Sequence, residues 1–345
     1  MTRRIEHIDV ARGLGILLVV IGHNPLVADM PNPLFDVIYA FHIPLFFFLS
    51  GLFFKPEQPF LSLVARRTDM LLKPYAVVLL ALAAFQVMFR HRDPELLLAG
   101  ILYGAGDTIA WIPMWFLPHL WILSISAWLM LRLVPTKRIL GRAALLAALL
   151  ITGVALSSYF ATHPWYPLSA QQPVLGLPLS ADLLPLSCFY FLLGTYCRQR
   201  TLEMTFSWKL LLACVMGSVL LHLIWGGTID LNMRRYDHPL VLTALALLGT
   251  YGVLQLSCLA TRYPLALRVL SYVGTGTLFI LIFHAYIQTA VFNGLMRWQA
   301  EHSLLNAALA FAAGVLLPLV LWEGVKRSRL LSRLLLPRTS PQVNA

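Results

Sequence analysis

The sequence predicts an all-α polytopic membrane protein, a bundle of about ten transmembrane helices. Three observations carry that prediction. The 345-residue chain is 59% hydrophobic and only 12% charged, half the roughly 25% charged share of soluble domains. Apolar blocks long enough to cross a bilayer recur from end to end. Those blocks, such as "AVVLLALAAFQVMF" (76–89) and "ALLAALLITGVAL" (144–156), do not alternate, which argues against a membrane β-barrel, whose strands alternate over about ten residues.

The blocks fall at 8–28, 34–54, 72–90, 114–134, 139–160, 182–198, 206–225, 239–260, 268–294 and 304–325. Residues 95–103 read as a short interfacial helix, and 161–181 and 226–238 as the longest outer loops. Residues 1–330 read as one integral membrane domain and 331–345 as a short cytoplasmic tail without structure, with no further domain expected after the tenth span. The first block lacks a small-x-small cleavage site, so it reads as a retained span and not a signal peptide. Of the 26 Lys and Arg residues, 20 lie on the side of the N-terminus and five on the other, with Arg12 inside the first block. The positive-inside rule therefore expects both termini in the cytoplasm of a multi-pass protein of the inner cell membrane. The net charge of +11 reports this topology, so the lipid bilayer is an expected partner and nucleic acid is not. Cys188, Cys197, Cys214 and Cys258 lie in or beside apolar stretches without C-x-x-C spacing and read as small core residues.

Ionisable residues inside spans are costly and point to function. His23, His42, His119 and His284 lie in the first, second, fourth and ninth spans, all roughly 18–24 Å above the cytoplasmic face at 1.5 Å per residue. His222 shares that depth, but nothing polar surrounds it in sequence and it reads as a core residue. Histidine accepts and returns a proton near neutral pH, which is what activating a hydroxyl requires. No His-x-x-x-His or His-x-x-Glu spacing occurs in these spans, so no metal site is expected.

Arg12 and His23 share one helical face, roughly 16 Å apart along the axis, and Asp9 can pair with Arg12 one turn away. A second cationic group, Arg66, Arg67 and Lys73 in "ARRTDMLLKPY" (65–75), enters the third span at the same surface. Each cation alone reads equally well as a membrane anchor. Together they outline a channel: phosphates on the cytoplasmic cations, a long flexible arm beside the first helix, and a reactive group at the histidines. Acyl-CoA has that shape, and its thioester needs an activated nucleophile.

Four segments resemble the acyltransferase 3 family of integral membrane O-acyltransferases, in its fucose 4-O-acetylase-like form. "IDVARGLGILLVVIGH" (8–23) is similar to the family's first-helix signature, an Arg, ten residues and a His. "FHIPLFFFLSGLFF" (41–54) is similar to its His-x-Pro and aromatic second helix, "MWFLPHLW" (114–121) to its Trp-Phe-Leu motif, and "VGTGTLFILIFH" (273–284) to its late Gly…Leu…His motif. The resemblance spans about residues 6–325. It implies transfer of an acyl group, most often acetyl, from acyl-CoA to a hydroxyl of a sugar in a cell-surface glycan or a lipid-linked precursor. It implies that His23 is the catalytic histidine; read as a general base, it is joined by His284 and His42, which orient the acceptor or stabilise charge. Arg12 matches the arginine of the family's first-helix motif and Arg67 a basic position before its third helix; with Arg66 and Lys73 they read as holding the donor phosphates, and Asp9 as fixing Arg12. Where the family shows two arginines a turn apart before the third helix's Pro-Tyr, this chain has Arg66, Arg67 and Lys73. Direct transfer and a transient acyl-histidine are both open. Asp230, Asn232, Arg234 and Tyr236 in the outer loop, with Trp115 and His119, form the expected substrate-binding set. The alternative is a transporter or flippase, which would also bury polar residues at mid-membrane but should show repeats or matched broken helices.

Overall fold

The computed structural model describes residues 5–28, 32–134, 138–169, 172–298 and 303–338. Helix α1 (Glu6–Gly22) is followed by α2 (Pro25–Ala28), α3 (Pro33–Tyr39) and α4 (His42–Leu52). Next, α5 (Phe60–Arg67) continues through a π-helical turn (Thr68–Leu72) into α6 (Lys73–Arg90). Then come α7 (Pro94–Tyr103), α8 (Phe116–Leu133), α9 (Ile139–Thr162), α10 (Leu184–Tyr196) and α11 (Arg198–Leu202). The remainder is α12 (Trp208–Trp225), α13 (Pro239–Ala260), α14 (Pro264–Thr275), α15 (Thr277–Met296), α16 (Ser303–Arg327) and α17 (Arg329–Leu335). Proline stands in the first turn of α3, α7, α13 and α14, where its missing N–H costs nothing. The protein is all-α and polytopic: among the described residues nine helical stretches are long and apolar enough to cross a membrane.

Four expected spans differ in a way that shapes the site; the second, 34–54, is α3 and α4 parted at Ala40–Phe41. The first, 8–28, is divided. α1 has 17 residues and ends at His23, because Pro25 disfavours helical backbone at Asn24. The Asn24 side chain then accepts from Leu26 N (3.2 Å) and donates to the Ala307 carbonyl (2.9 Å), pinning the break to α16. The third, 72–90, starts twelve residues early at Phe60 and includes the π turn; such turns concentrate at functional sites. The ninth, 268–294, is two helices parted at Gly276, where a Cβ would meet Leu319 Cδ2 at 2.3 Å. The short helix expected at 95–103 is α7.

Small residues let the inner helices cross closely, as in other membrane bundles. A Cβ at Gly13 would lie 2.1 Å from the Leu270 carbonyl oxygen, and one at Gly274 2.2 Å from that of Asp9, so α1 and α14 touch backbone to backbone. Gly51 and Gly194 do the same for α4 and α10. By contrast α9 and α12 are little buried, and α12 shows Leu212, Val215, Met216, Val219 and Leu223 outward, as a lipid-facing helix must. Cys188, Cys214 and Cys258 are buried and all four cysteines are free thiols.

At the end of the bundle opposite Arg12, strands β1 (Ile229–Asp230) and β2 (Arg235–Tyr236) form a small antiparallel hairpin, with Asp230 opposite Arg235. Arg234 locks it down. Its guanidinium is fully buried and donates to both carboxylate oxygens of Asp182 at 3.1 Å, and to the Asn232 carbonyl at 2.9 Å. Gly176, at φ +81°, makes room for that pair: a Cβ there would sit 2.1 Å from Arg234 Nη2. The Tyr236 hydroxyl is tied to Tyr190 (2.6 Å) and Thr243 (2.8 Å). Both Arg234 and Tyr236 were expected to face a substrate. Their burial and complete hydrogen bonding make them framework instead. The tail expected to lack structure from 331 is helical through Leu335; residues 339–345 lie outside the described ones.

Candidate active site

The break after α1 leaves His23 at the helix end, where the last turn's carbonyls meet its ring. Nδ1 lies 2.9 Å from the Val19 carbonyl oxygen. A carbonyl only accepts, so Nδ1 carries the proton and Nε2 presents a lone pair. Nε2 faces the Tyr39 hydroxyl at 3.5 Å. The same arrangement recurs twice. His42, the first residue of α4, donates from Nδ1 to the Ile38 carbonyl (3.1 Å). His284 donates from Nδ1 to the Ile280 carbonyl (2.8 Å) and leaves a buried Nε2 without a hydrogen-bond partner. The His284 ring meets the His23 ring edge-on, 5.1 Å between centroids, and Tyr39 lies 4.5 Å from His42. Three histidines from three separate helices thus form one cluster, with Tyr39 between His23 and His42 and His284 against His23.

A cavity of about 280 Å³ opens onto this cluster. His23, Tyr39 and His42 line it at its centre, Trp115 and Phe116 from the start of α8, and Asp230 and Asn232 from the hairpin. Ile16 and Val19 carry it down α1. Ile16, Val19 and His23 continue the face that begins at Arg12, in steps of four, three and four residues. Asp230 is held over the cavity by the Met233 N–H (3.1 Å), while Thr228 donates to Asp36 and anchors the hairpin to α3. Burial pushes the Asp230 carboxyl above its ordinary range, with the Met233 N–H opposing. Asn232 Oδ1 is buried and has no partner. Among the described residues no group of three or more His, Cys, Asp or Glu side chains is placed to hold a metal ion.

At the other end of α1, Arg12 pairs with Asp9 at 3.5 Å and lies over the Phe53 ring, 5.2 Å from its centroid. Arg66 donates to Gln58 Oε1 at 3.0 Å. Phe53 and Gln58 belong to one loop, so both cations border the α4–α5 connection. Arg67 Nε is buried without a partner. Lys73 departs from expectation: its ammonium is held by Asp69 (2.7 Å) and the Leu336 carbonyl (2.5 Å), while Asp69 also accepts from Arg338 N (2.6 Å). It fastens the segment after α17 to the π turn and is not presented to a ligand. His119 is likewise elsewhere. Fully buried, it uses Nδ1 on the Leu179 carbonyl (3.1 Å) and Nε2 on Ser187 Oγ (2.9 Å), so the depth it shares with the others does not bring it to the cavity. The sequence reading missed Tyr39, whose signal was its place one turn before His42, and Asp182, which no local pattern marks.

The acyltransferase domain model of the acyltransferase 3 family matches residues 5–323. The chain belongs to that family. The match runs from the start of α1 into α16 and so includes every element that builds the cavity; it does not single out a subtype. No curated protein and no solved structure matches the chain significantly. As a family member the protein is a membrane acyltransferase with an acceptor substrate, which sets aside the transporter alternative.

Proposed function

We propose that the protein moves an acyl group, acetyl in the simplest case, from acyl-CoA to a hydroxyl of a sugar in a cell-surface glycan or its lipid-linked precursor. It does so in the inner cell membrane with both termini cytoplasmic. The observation that carries the reading is the setting of His23: Nδ1 is engaged by the Val19 carbonyl, which leaves Nε2, beside the Tyr39 hydroxyl, to take a proton in a ring that lines a cavity with Asp230 and Asn232. In the proposed step the acceptor oxygen bonds to the thioester carbonyl carbon, its proton passes to His23 Nε2, and the C–S bond breaks. His23 then returns the proton to the departing thiolate. Tyr39 and the edge of His284 hold the His23 ring, and His42 faces the acceptor. His284 lines neither His23's cavity nor its opening, so it acts by positioning. Asp230 and Asn232 offer hydroxyl-binding oxygens, and Trp115 an apolar wall. Donor phosphates fit Arg12, Arg66 and Arg67: the unpartnered Arg67 Nε is a buried donor in need of an acceptor.

The test is label transfer by purified protein in detergent, from labelled acetyl-CoA to a mixed glycan extract. Label should reach a glycan with the wild type, and His23→Ala should abolish it. Well-folded wild type that neither binds nor turns over acyl-CoA overturns the reading.

A further inference from the structure

A second cavity, of about 410 Å³, is also lined by His23. Ala110 and Trp111 wall it from one side and Ala285, Tyr286, Thr289 and Ala290 from α15. His23, Ile112 and Pro113 are common to both cavities. Trp111 is fixed in the wall of the second cavity: it stacks on Tyr286 at 4.2 Å, and its indole N–H donates to the Ile282 carbonyl.

The two spaces differ in chemistry. The first offers Asp230, Asn232, Tyr39 and His42 to a polar ligand. The second is apolar apart from His23, Thr289 and the Tyr286 hydroxyl, and alanines at 285 and 290 leave it wide beside the reacting centre. We propose that this second cavity holds the hydrocarbon chain of the donor's acyl group, so that the protein takes acyl thioesters several carbons longer than acetyl. The proposal rests on the acyl-CoA reading above. The occupant follows from distance along the molecule. Whatever fills this cavity starts at His23, beside the carbonyl under attack. An acyl chain begins one bond from that carbonyl. The lipid of a lipid-linked acceptor is separated from the reacting hydroxyl by the sugar and its phosphate linkage, so it cannot begin there. The cavity is open-ended: Tyr286 and Ile112 are about half exposed, at 45% and 51%, in stretches long and apolar enough to cross a membrane. A chain longer than the cavity therefore runs out into lipid.

Binding of the donor can be read without the acceptor. Full-length wild type in detergent is loaded with labelled acetyl-CoA, which is displaced by acetyl-, butanoyl- or hexanoyl-CoA. Each methylene buried in an apolar wall tightens binding roughly fourfold, so hexanoyl-CoA should displace the label at least tenfold more effectively than acetyl-CoA. Ala290→Phe, at an exposed position on α15, should cut the hexanoyl-to-acetyl ratio at least tenfold. Ala285→Phe, nearer His23, should cut the butanoyl ratio as well. Label that binds but is displaced equally by all three thioesters overturns the assignment. So does an unchanged ratio in folded Ala290→Phe. Failure of the wild type to bind labelled acetyl-CoA at all overturns the donor reading, and this proposal with it.

Discussion

Replacing Arg234 by Met removes the charge that holds the outer hairpin while keeping most of the side chain's volume. Asp182 then stays fully buried with one remaining donor, the Leu177 N–H at 2.8 Å. Breaking a buried ion pair by deleting one partner costs about 3–5 kcal/mol, because the other charge is left without compensation. The loss of the bond to the Asn232 carbonyl adds to this. At about 2 °C per kcal/mol for a chain of this size, the melting temperature in detergent should fall by roughly 6–10 °C. Asp182→Asn on the Arg234→Met background removes the stranded charge and should recover more than half of that loss. Activity should follow the hairpin and not the melting point. At temperatures where Arg234→Met is folded, acceptor KM should rise because Asp230 and Asn232 lose their register over the cavity, and donor KM should hold. A variant as stable as wild type, or a double variant less stable than the single, would refute the reasoning that this pair clamps the hairpin.

The remaining predictions are smaller. Burial raises the Asp230 carboxyl above its ordinary value of 3.8, so the folded protein keeps that proton to higher pH than the unfolded chain does. The resulting stability is complete below pH 3.8 and is lost as pH rises through the folded value. Asp230→Asn should therefore gain stability relative to wild type as pH is raised from 3.8, and parallel melting curves across pH would contradict this. Tyr39→Phe removes the hydroxyl facing His23 Nε2 and should lower kcat by roughly three- to tenfold, about the worth of one neutral hydrogen bond, without moving donor KM. Lys73→Met should release the segment after α17, which protease sensitivity near residue 336 would report, while leaving donor affinity within about twofold.

How far the sequence could be read differs from residue to residue. Apolar run length gave the polytopic class, since a span must satisfy every backbone group within itself. It did not show the breaks at Asn24, Ala40–Phe41 and Gly276, because each interruption lies inside an apolar block whose composition does not change. Asn24 before Pro25 was the one local warning. Depth counting brought His23, His42 and His284 together, but depth is one coordinate of three. His119 satisfies it and faces Ser187 instead. Charge in an outer loop was read as ligand-binding, yet Arg234 is paired with Asp182, 52 residues away, and sequence proximity carries no trace of that contact. Asp230 and Asn232, from the same loop, do reach the cavity. Lys73 looked like Arg66 and Arg67 because the segment that engages it comes from the far end of the chain.

The central claim is that one face of α1 joins a donor-binding cation to a catalytic base. Steady-state kinetics of acyl transfer for Arg12→Ala and His23→Ala test it most directly. Loss of a charge-assisted hydrogen bond, about 1.5–3 kcal/mol, should raise donor KM for Arg12→Ala by roughly 10–100-fold with kcat little changed. Loss of the base should lower kcat for His23→Ala by at least roughly 10²-fold with donor KM little changed. If Arg12→Ala leaves donor KM untouched, or His23→Ala retains wild-type kcat, the two ends of the helix do not serve one reaction.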